Sequence, residues 1–389
     1  MLWREAWLKH LGESLEISNS LFGQLGWSLP APLRELTMDF LPRKVLTVAL
    51  YLALSALPSL SDDARLQSTS NLPPRKVIVG TSMEAFWVDY PGLPQRLQQL
   101  GAIIDRLAAE SLKKYGRRLD LAVLPEVAVS GEAGEDAFAH AFPLEGAVKE
   151  SFSRKAREHQ CYIVVPMYLF EEGPQKQVSN VGVLFDRKGE VVGIYRKLHP
   201  AISDTGSMEG GITPGNEAPV FECDFGKLGV QICFDIYFEY GWRELARKGA
   251  DLVVWPSQTP QTAQPAFRAL QHRYYIVSST WRNNASIFEP TGRIVSQLKP
   301  PGQILVQELD LSYAILPWSS KLQKGEALRK RYGDKVGFRY YEDEDCGIFW
   351  SNDPRVSIRE MTRPLGLVEM EDYMARTREL FRKAGVPGQ

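Results

Sequence analysis

Apolar positions along the chain follow two rhythms, and they alternate. After a polar linker that ends at Pro73-Pro74, the short apolar run Lys76–Gly80 (KVIVG) predicts a buried strand. Leu93, Leu97, Leu100, Ile104, Leu107 and Leu112 then recur at spacings of three, four and five residues. No proline interrupts 95–115, so a helix is expected over Gln95–Tyr115. Leu119–Leu124 (LDLAVL) reads as a second strand stopping at Pro125-Glu126, and a helix over about Ala147–His159 leads into the strand Cys161–Pro166 (CYIVVP). Strands alternating with helices in this way predict a layered α/β domain.

The rhythm changes in the middle of the chain. Val181–Phe185 and Val191–Tyr195 flank Asp186-Arg187-Lys188-Gly189, which predicts a hairpin whose glycine can take a positive φ. A second hairpin is expected between Val220–Cys223 and Leu228–Cys233, followed by a helix from about Phe238 to Lys248 and a strand at Leu252–Trp255. Further strands are expected at Tyr274–Ser279 and Ile304–Leu309, with a turn at Glu289-Pro290-Thr291-Gly292 between two short ones. The sheets are therefore mixed. Beyond Leu316 the sequence turns polar and aromatic without clear periodicity and ends in a helical segment near Glu369–Lys383, which reads as an extension wrapping the core or a partner subunit. No internal repeat is visible.

The first 75 residues read as an N-terminal extension. Within it Val45–Leu60 is almost free of charge, follows Arg43 and Lys44, and precedes a polar run. That order is the order of a secretory signal, and Met38 would place its basic region at a start. The run is shorter than the ~20 residues of a spanning helix, so a signal is the expectation over a membrane anchor, with a buried helix as the structural alternative and a cytoplasmic protein as its consequence.

Composition narrows the function. With 389 residues there is material for a sizeable core, and a formal net charge of -1 supplies no general field for a polyanion, so nucleic acid is not an expected partner. Cys161, Cys223, Cys233 and Cys346 form no CxxC pair, and the five histidines form no HExxH pattern, so a protein zinc site is not expected.

Three reactive residues directly follow apolar strands, at the edge where α/β sheets present functional groups. They are Glu126 in LAVLPEVAVSG, Lys197 in EVVGIYRKLHP and Cys233 in KLGVQICFDIYF. Each has an ordinary alternative alone: a buried cysteine as a small hydrophobe, a glutamate in a first helical turn, a lysine as solvated charge. Together they make a set for acyl transfer. A neutral thiol is a weak nucleophile and needs a base, which Glu126 supplies; the Lys197 ammonium, with the backbone N–H of Phe234, suits the negative charge that develops on an attacked carbonyl oxygen.

The contexts LPE at Glu126, YRKLHP at Lys197 and GVQICFD at Cys233 make the chain from about Lys76 to Leu311 resemble the nitrilase-like carbon–nitrogen hydrolase superfamily. The resemblance implies an α-β-β-α sandwich with mixed sheets over about 76–312, between the N-terminal extension and a C-terminal one over 313–389, no cofactor, and association into a homodimer or higher homo-oligomer through the sandwich faces. It further implies a second glutamate after the lysine, matched by Glu209 in MEGGITPG, which would orient the lysine and the substrate. Trp255 and Ser257 match the strand end that lines pockets in the family and, with Phe234, are candidate substrate contacts; packing is the alternative for each.

Two departures refine the expectation. The chain reads Ile236-Tyr237-Phe238-Glu239-Tyr240 where many members carry Phe-Pro-Glu, and Phe234 stands where true nitrilases place tryptophan. The second favours a small-molecule amide or N-carbamoyl substrate over a nitrile. Arg268, Arg273 and Arg282 could meet a substrate carboxylate or lie on a helix surface, and His199 and His272 receive no catalytic role. An acyltransferase using the same cysteine and a catalytically silent, ligand-binding dimer remain the alternatives to a hydrolase.

Overall fold

In the computed structural model, described for residues 71–86, 90–132, 134, 136–173, 176–204 and 206–387, side chains of successive strand residues point to opposite layers. The signal-like run at 45–60 lies outside the described residues.

One six-stranded sheet has the order β12-β1-β2-β3-β4-β5. It comprises β1 (Lys76–Ser82), β2 (Leu121–Val123), β3 (Tyr162–Glu171), β4 (Gln177–Phe185), β5 (Val191–Arg196) and β12 (Ile304–Asp310). A second has the order β11-β10-β9-β8-β7-β6. Its members are β6 (Val220–Cys223), β7 (Gly226–Val230), β8 (Leu252–Ser257), β9 (Tyr275–Thr280), β10 (Ala285–Phe288) and β11 (Ile294–Leu298). In each sheet the three central strands are parallel (β1-β2-β3 and β7-β8-β9) and the outer ones antiparallel.

The period of two along each strand explains the layering. Val77, Val79, Leu121, Val123 and Val164 of the first sheet meet Leu228, Val230, Leu252, Val254 and Val277 of the second. The intervening residues point outward. Ile78, Ala122, Ile163 and Val165 pack under the helices α1 (Leu93–Tyr115) and α2 (Ala147–His159), whereas Val253, Trp255 and Ile276 pack under α3 (Glu239–Arg247) and α4 (Ala263–His272). The result is the expected α-β-β-α sandwich. Hydrogen bonds lock the sheets together at one end: the Thr81 hydroxyl donates to the Ser278 carbonyl at 2.7 Å and the Ser279 hydroxyl to the Ser82 carbonyl at 2.9 Å.

Local differences from the sequence expectation have identifiable causes. Helix α1 starts at Leu93, because proline in the first turn forfeits no intrahelical bond, and it ends at Gly116, whose φ is 64°. Its Leu112 is 53% exposed, since the buried stripe runs through Leu107, Ala108 and Ser111 instead. The strand expected to run to Cys233 stops at Val230. Helix α4 carries no strong punctuation in the sequence and is an addition to the elements foreseen.

The aromatic C-terminal segment is also more regular than its sequence suggests. The strands β13 (Tyr313–Pro317), β14 (Val336–Tyr341) and β15 (Cys346–Ser351) form an antiparallel sheet in the order β13-β15-β14. Ile348 and Trp350 of β15 pack toward the inter-sheet core. Phe349 between them faces a separate cluster with Leu328 of α5 (Glu326–Tyr332) and with Ile358 and Met361 of α6 (Ile358–Thr362). Arg339 on β14 donates to the fully buried carboxylate of Glu289 at 2.5 and 2.9 Å, tying this sheet to the β10–β11 turn. The terminal helix α7 (Met370–Lys383) is joined by Glu371 to Arg273, 2.9 Å away.

Candidate active site

Glu126, Lys197 and Cys233 come from three separate strand ends and meet in one buried cluster. Lys197 directly follows β5, and its Nζ lies 2.9 Å from Glu126 Oε1 and 2.7 Å from Glu209 Oε2. The Cys233 thiol lies among the Glu126 carboxylate, the Lys197 ammonium and the Ser257 hydroxyl at the end of β8, all of which act on its ionisation. Glu126 Oε2 accepts the backbone N–H of Gln258 at 2.9 Å, and Trp281 Nε1 donates to the Glu126 carbonyl at 2.9 Å. The side chain and main chain of Glu126 are thus fixed independently.

Cys233 sits on a sharp elbow. Cys233 has φ 43°, a left-handed conformation unusual for a residue with a side chain, and it opens a 3-10 turn over Cys233–Tyr237. Asp235 holds that elbow in place. Its fully buried carboxylate accepts from Ile232 N at 2.9 Å, Tyr195 Oη at 2.7 Å, His199 N at 2.9 Å and His199 Nδ1 at 2.9 Å. Since Tyr195 and His199 flank Lys197, and Ile232 precedes Cys233, one carboxylate joins the two reactive strand ends. Val127 and Glu209 also have positive φ, at 48° and 44°, so backbone strain recurs around the cluster.

Electrostatics assigns the protons at rest. Burial pushes the Cys233 thiol up to about 12, with the Glu126 charge adding to it and Lys197 opposing. Burial also raises the Glu126 carboxyl, against the pull of Lys197. For Lys197 burial alone would favour the neutral amine, but Glu126 and Glu209 more than reverse this and hold it well above the usual lysine range. The lysine is a cation and the cysteine a neutral thiol poised beside a base.

Glu209 lies where the sequence placed it relative to the lysine. Besides Lys197 it accepts from Asn180 Nδ2 at 2.6 Å and from Tyr168 Oη at 3.4 Å. Asn180 also donates to Glu126 Oε1 at 3.0 Å. Neither Asn180 nor Tyr168 was marked by the sequence: each lies inside an apolar strand with no local signal. Asp235 could have been noted, as an acid two residues after the nucleophile.

The expected substrate contacts divide. Ser257 touches the thiol and accepts the Thr259 N–H at 3.0 Å. Phe234 is half-buried, its ring edge-on to Tyr237 at 5.2 Å and to Phe238 at 5.7 Å. Trp255 takes the packing alternative. It is buried in the layer under α3 and α4, and its Nε1 donates to the Cys233 carbonyl at 3.0 Å, so its one polar atom serves the elbow.

Arg268 donates to the Ile236 carbonyl and pairs with Glu239, and Arg273 is engaged by Glu371 and the Pro290 carbonyl; Arg282 is exposed. His199 is bound to Asp235 and stacks on Phe238 with ring centroids 4.0 Å apart, and His272 lies 3.0 Å from Glu239. Among the described residues Asp105, Glu158 and His159 come together on the surface, but Lys155 Nζ already donates to Asp105 at 2.6 Å and to Glu158 at 3.0 Å, so a cation occupies that cluster.

Residues 91–316 match the family described as carbon-nitrogen hydrolase. The chain belongs to this family. Among curated relatives it is 26% identical over 203 residues to deaminated glutathione amidase of Homo sapiens, an alignment covering 44% of this chain and 60% of that protein's length. It is 24% identical over 221 residues to omega-amidase NIT2 of Danio rerio, covering 51% and 79% of the two chains. The fold matches the carbon-nitrogen hydrolase of Helicobacter pylori G27 with a TM-score of 0.53 at 18% identity, over 66% of this chain and 93% of that one. It likewise matches the NitFhit protein of C. elegans, with a TM-score of 0.52 at 19% identity over 62% of each chain.

Proposed function

We propose that this carbon-nitrogen hydrolase cleaves an amide or N-carbamoyl bond of a small molecule through a thioester on Cys233. The observation that carries the reading is Lys197 Nζ, 2.9 Å from Glu126 Oε1, with the Cys233 thiol near enough to both for each charge to act on its ionisation. With the thiol held neutral at rest, proton transfer to Glu126 and attack on the carbonyl carbon proceed together. Charge then gathers on the carbonyl oxygen, where Lys197 and the backbone N–H of Phe234 stabilise it. Two of the lysine's three N–H bonds are taken by Glu126 and Glu209, which leaves the third for that oxygen.

Collapse of the adduct breaks the carbon–nitrogen bond as protonated Glu126 returns its proton to the departing amine or ammonia. Glu126 then takes a proton from water, which attacks the thioester and frees the acid and the thiol. Glu209 orients the lysine, and Ser257 and Phe234 border the acyl group. The amidase names of the two relatives described above support an amide substrate.

A screen of amides, nitriles and carbamoyl compounds scored by ammonia release, with Cys233→Ala as control, tests the reading. Intact-mass detection of an acyl adduct on Cys233 is the expected companion result, and turnover surviving Cys233→Ala would overturn it. We infer further that the chain associates through the α3–α4 face. Tyr240, Phe267 and Leu270 there are 46%, 53% and 43% exposed in the single chain. Light scattering that finds only monomer at working concentration would exclude it.

A further inference from the structure

Asn180 lies in the middle of β4, fully buried, and is bonded to both carboxylates of the site. Its Nδ2 donates to Glu126 Oε1 at 3.0 Å and to Glu209 Oε1 at 2.6 Å. Ionised carboxylates only accept, so the amide cannot be reversed, and its nitrogen must face them. The consequence falls on the other end of the side chain. Asn180 Oδ1 is buried and has no donor among the described residues. A buried acceptor without a donor is unfavourable. A shorter or apolar side chain would avoid that defect, but only by giving up the two bonds to the carboxylates.

Those bonds close a ring. Lys197 Nζ bridges Glu126 Oε1 to Glu209 Oε2, and Asn180 Nδ2 bridges Glu209 Oε1 back to Glu126 Oε1. The main chain of Asn180 takes part as well, since its carbonyl accepts the Lys197 N–H at 2.8 Å. Two carboxylates around one lysine repel each other, and in a buried site the usual outcome is that one takes up a proton. Here every position between them is filled by a donor that suits the ionised form.

Resting on the proposed mechanism, we propose that Asn180 is a positioning residue that keeps Glu126 ionised and aimed at the thiol by dividing its two amide protons between the Glu126 and Glu209 carboxylates. The groups facing Glu126 are Lys197 from the end of β5, Glu209 from the following loop, the Cys233 thiol from the elbow and the Gln258 N–H after β8; Tyr168 of β3 reaches the partner carboxylate. Without Asn180 the Glu126 carboxylate loses one donor to its charged form. Its proton affinity rises, and a protonated Glu126 cannot accept the thiol proton.

The test is the pH profile of kcat/KM for Asn180→Ala and Asn180→Asp on an amide that the unsubstituted protein hydrolyses. The acid limb is expected to move up by roughly one pH unit in Asn180→Ala, the scale set by one charge-assisted hydrogen bond. It moves further in Asn180→Asp, which adds a third carboxylate, while KM stays close to that of the unsubstituted protein. A packing role alone lowers the yield of folded protein without moving the limb, and an unmoved limb overturns the proposal. Infrared difference spectra of the unsubstituted protein against Glu126→Gln must lack a protonated-carboxyl band at neutral pH, and such a band overturns it whether or not the Asn180 variants fold. Hydrolysis that survives Cys233→Ala defeats the underlying mechanism; hydrolysis lost in Cys233→Ala with an unmoved limb defeats the role of Asn180 alone.

Discussion

Removing the Asp235 carboxylate is the sharpest perturbation of the elbow that leaves every proposed reacting group in place. In Asp235→Ala the Ile232 N–H and the Tyr195 hydroxyl lose their acceptor in a buried setting; the part-buried His199 N–H loses its acceptor as well, while the His199 ring, a quarter exposed, can turn to water. Two orphaned buried donors at ~1–3 kcal/mol each give an expected loss of about 4 kcal/mol. Activity should fall by more than stability alone would remove. The left-handed backbone at Cys233 is held by the Asp235 bond to Ile232, and a shift of about 1 Å in the thiol is enough to cost ~100-fold in rate. Asp235→Asn retains one accepting oxygen but sets an amide donor against the others, so it should fall between. Urea unfolding measures the first effect, and kcat for ammonia release from folded protein measures the second. A loss of stability with kcat unchanged would refute the idea that this carboxylate aims the elbow, and no loss of either would refute the hydrogen-bond count.

Other outcomes follow from the same geometry. Cys233→Ala should abolish turnover while costing only ~1–2 kcal/mol of stability in urea unfolding, since it removes a single sulfur. Because burial, and then the Glu126 charge, push the Cys233 thiol up to about 12, it is protonated at neutral pH; iodoacetamide labelling followed by mass should accordingly keep rising into the alkaline range, and a plateau near neutrality would contradict this. Glu209→Gln removes one of the two anions on Lys197 and should lower kcat by ~10- to 100-fold, the worth of one charged hydrogen bond, as read from initial rates. Arg339→Ala leaves the buried Glu289 carboxylate without its cation and should cost about 3–5 kcal/mol, seen as an earlier urea transition of the C-terminal sheet.

The legibility of the chain divides along physical lines. Strands such as β1 and β8 announced themselves because a strand covered on both faces is a continuous apolar run, and α1 because its buried stripe repeats every three or four residues. The C-terminal sheet was hidden because β14 and β15 mix aromatic, glycine and charged residues, and their alternation serves two different cores through Ile348 and Phe349. Glu126, Lys197 and Cys233 could be named because each stands at a strand end in a reactive context. Glu209 was nameable only through the family resemblance, which implies a second glutamate after the lysine.

The sequence by itself determined most strands of the two large sheets, the family resemblance and the three candidate reactive side chains, since local periodicity and short contexts are written within a few neighbouring residues. Only the tertiary structure decided that Asn180 shares its amide between two carboxylates, that Trp255 packs and holds the Cys233 carbonyl, and that Asp235 joins the lysine strand to the elbow. Each of these is a hydrogen bond between residues far apart in the chain, with Asn180 and Glu126 separated by 54 positions. Such a bond depends on which strand ends the packed sheets bring together, and no local pattern records that.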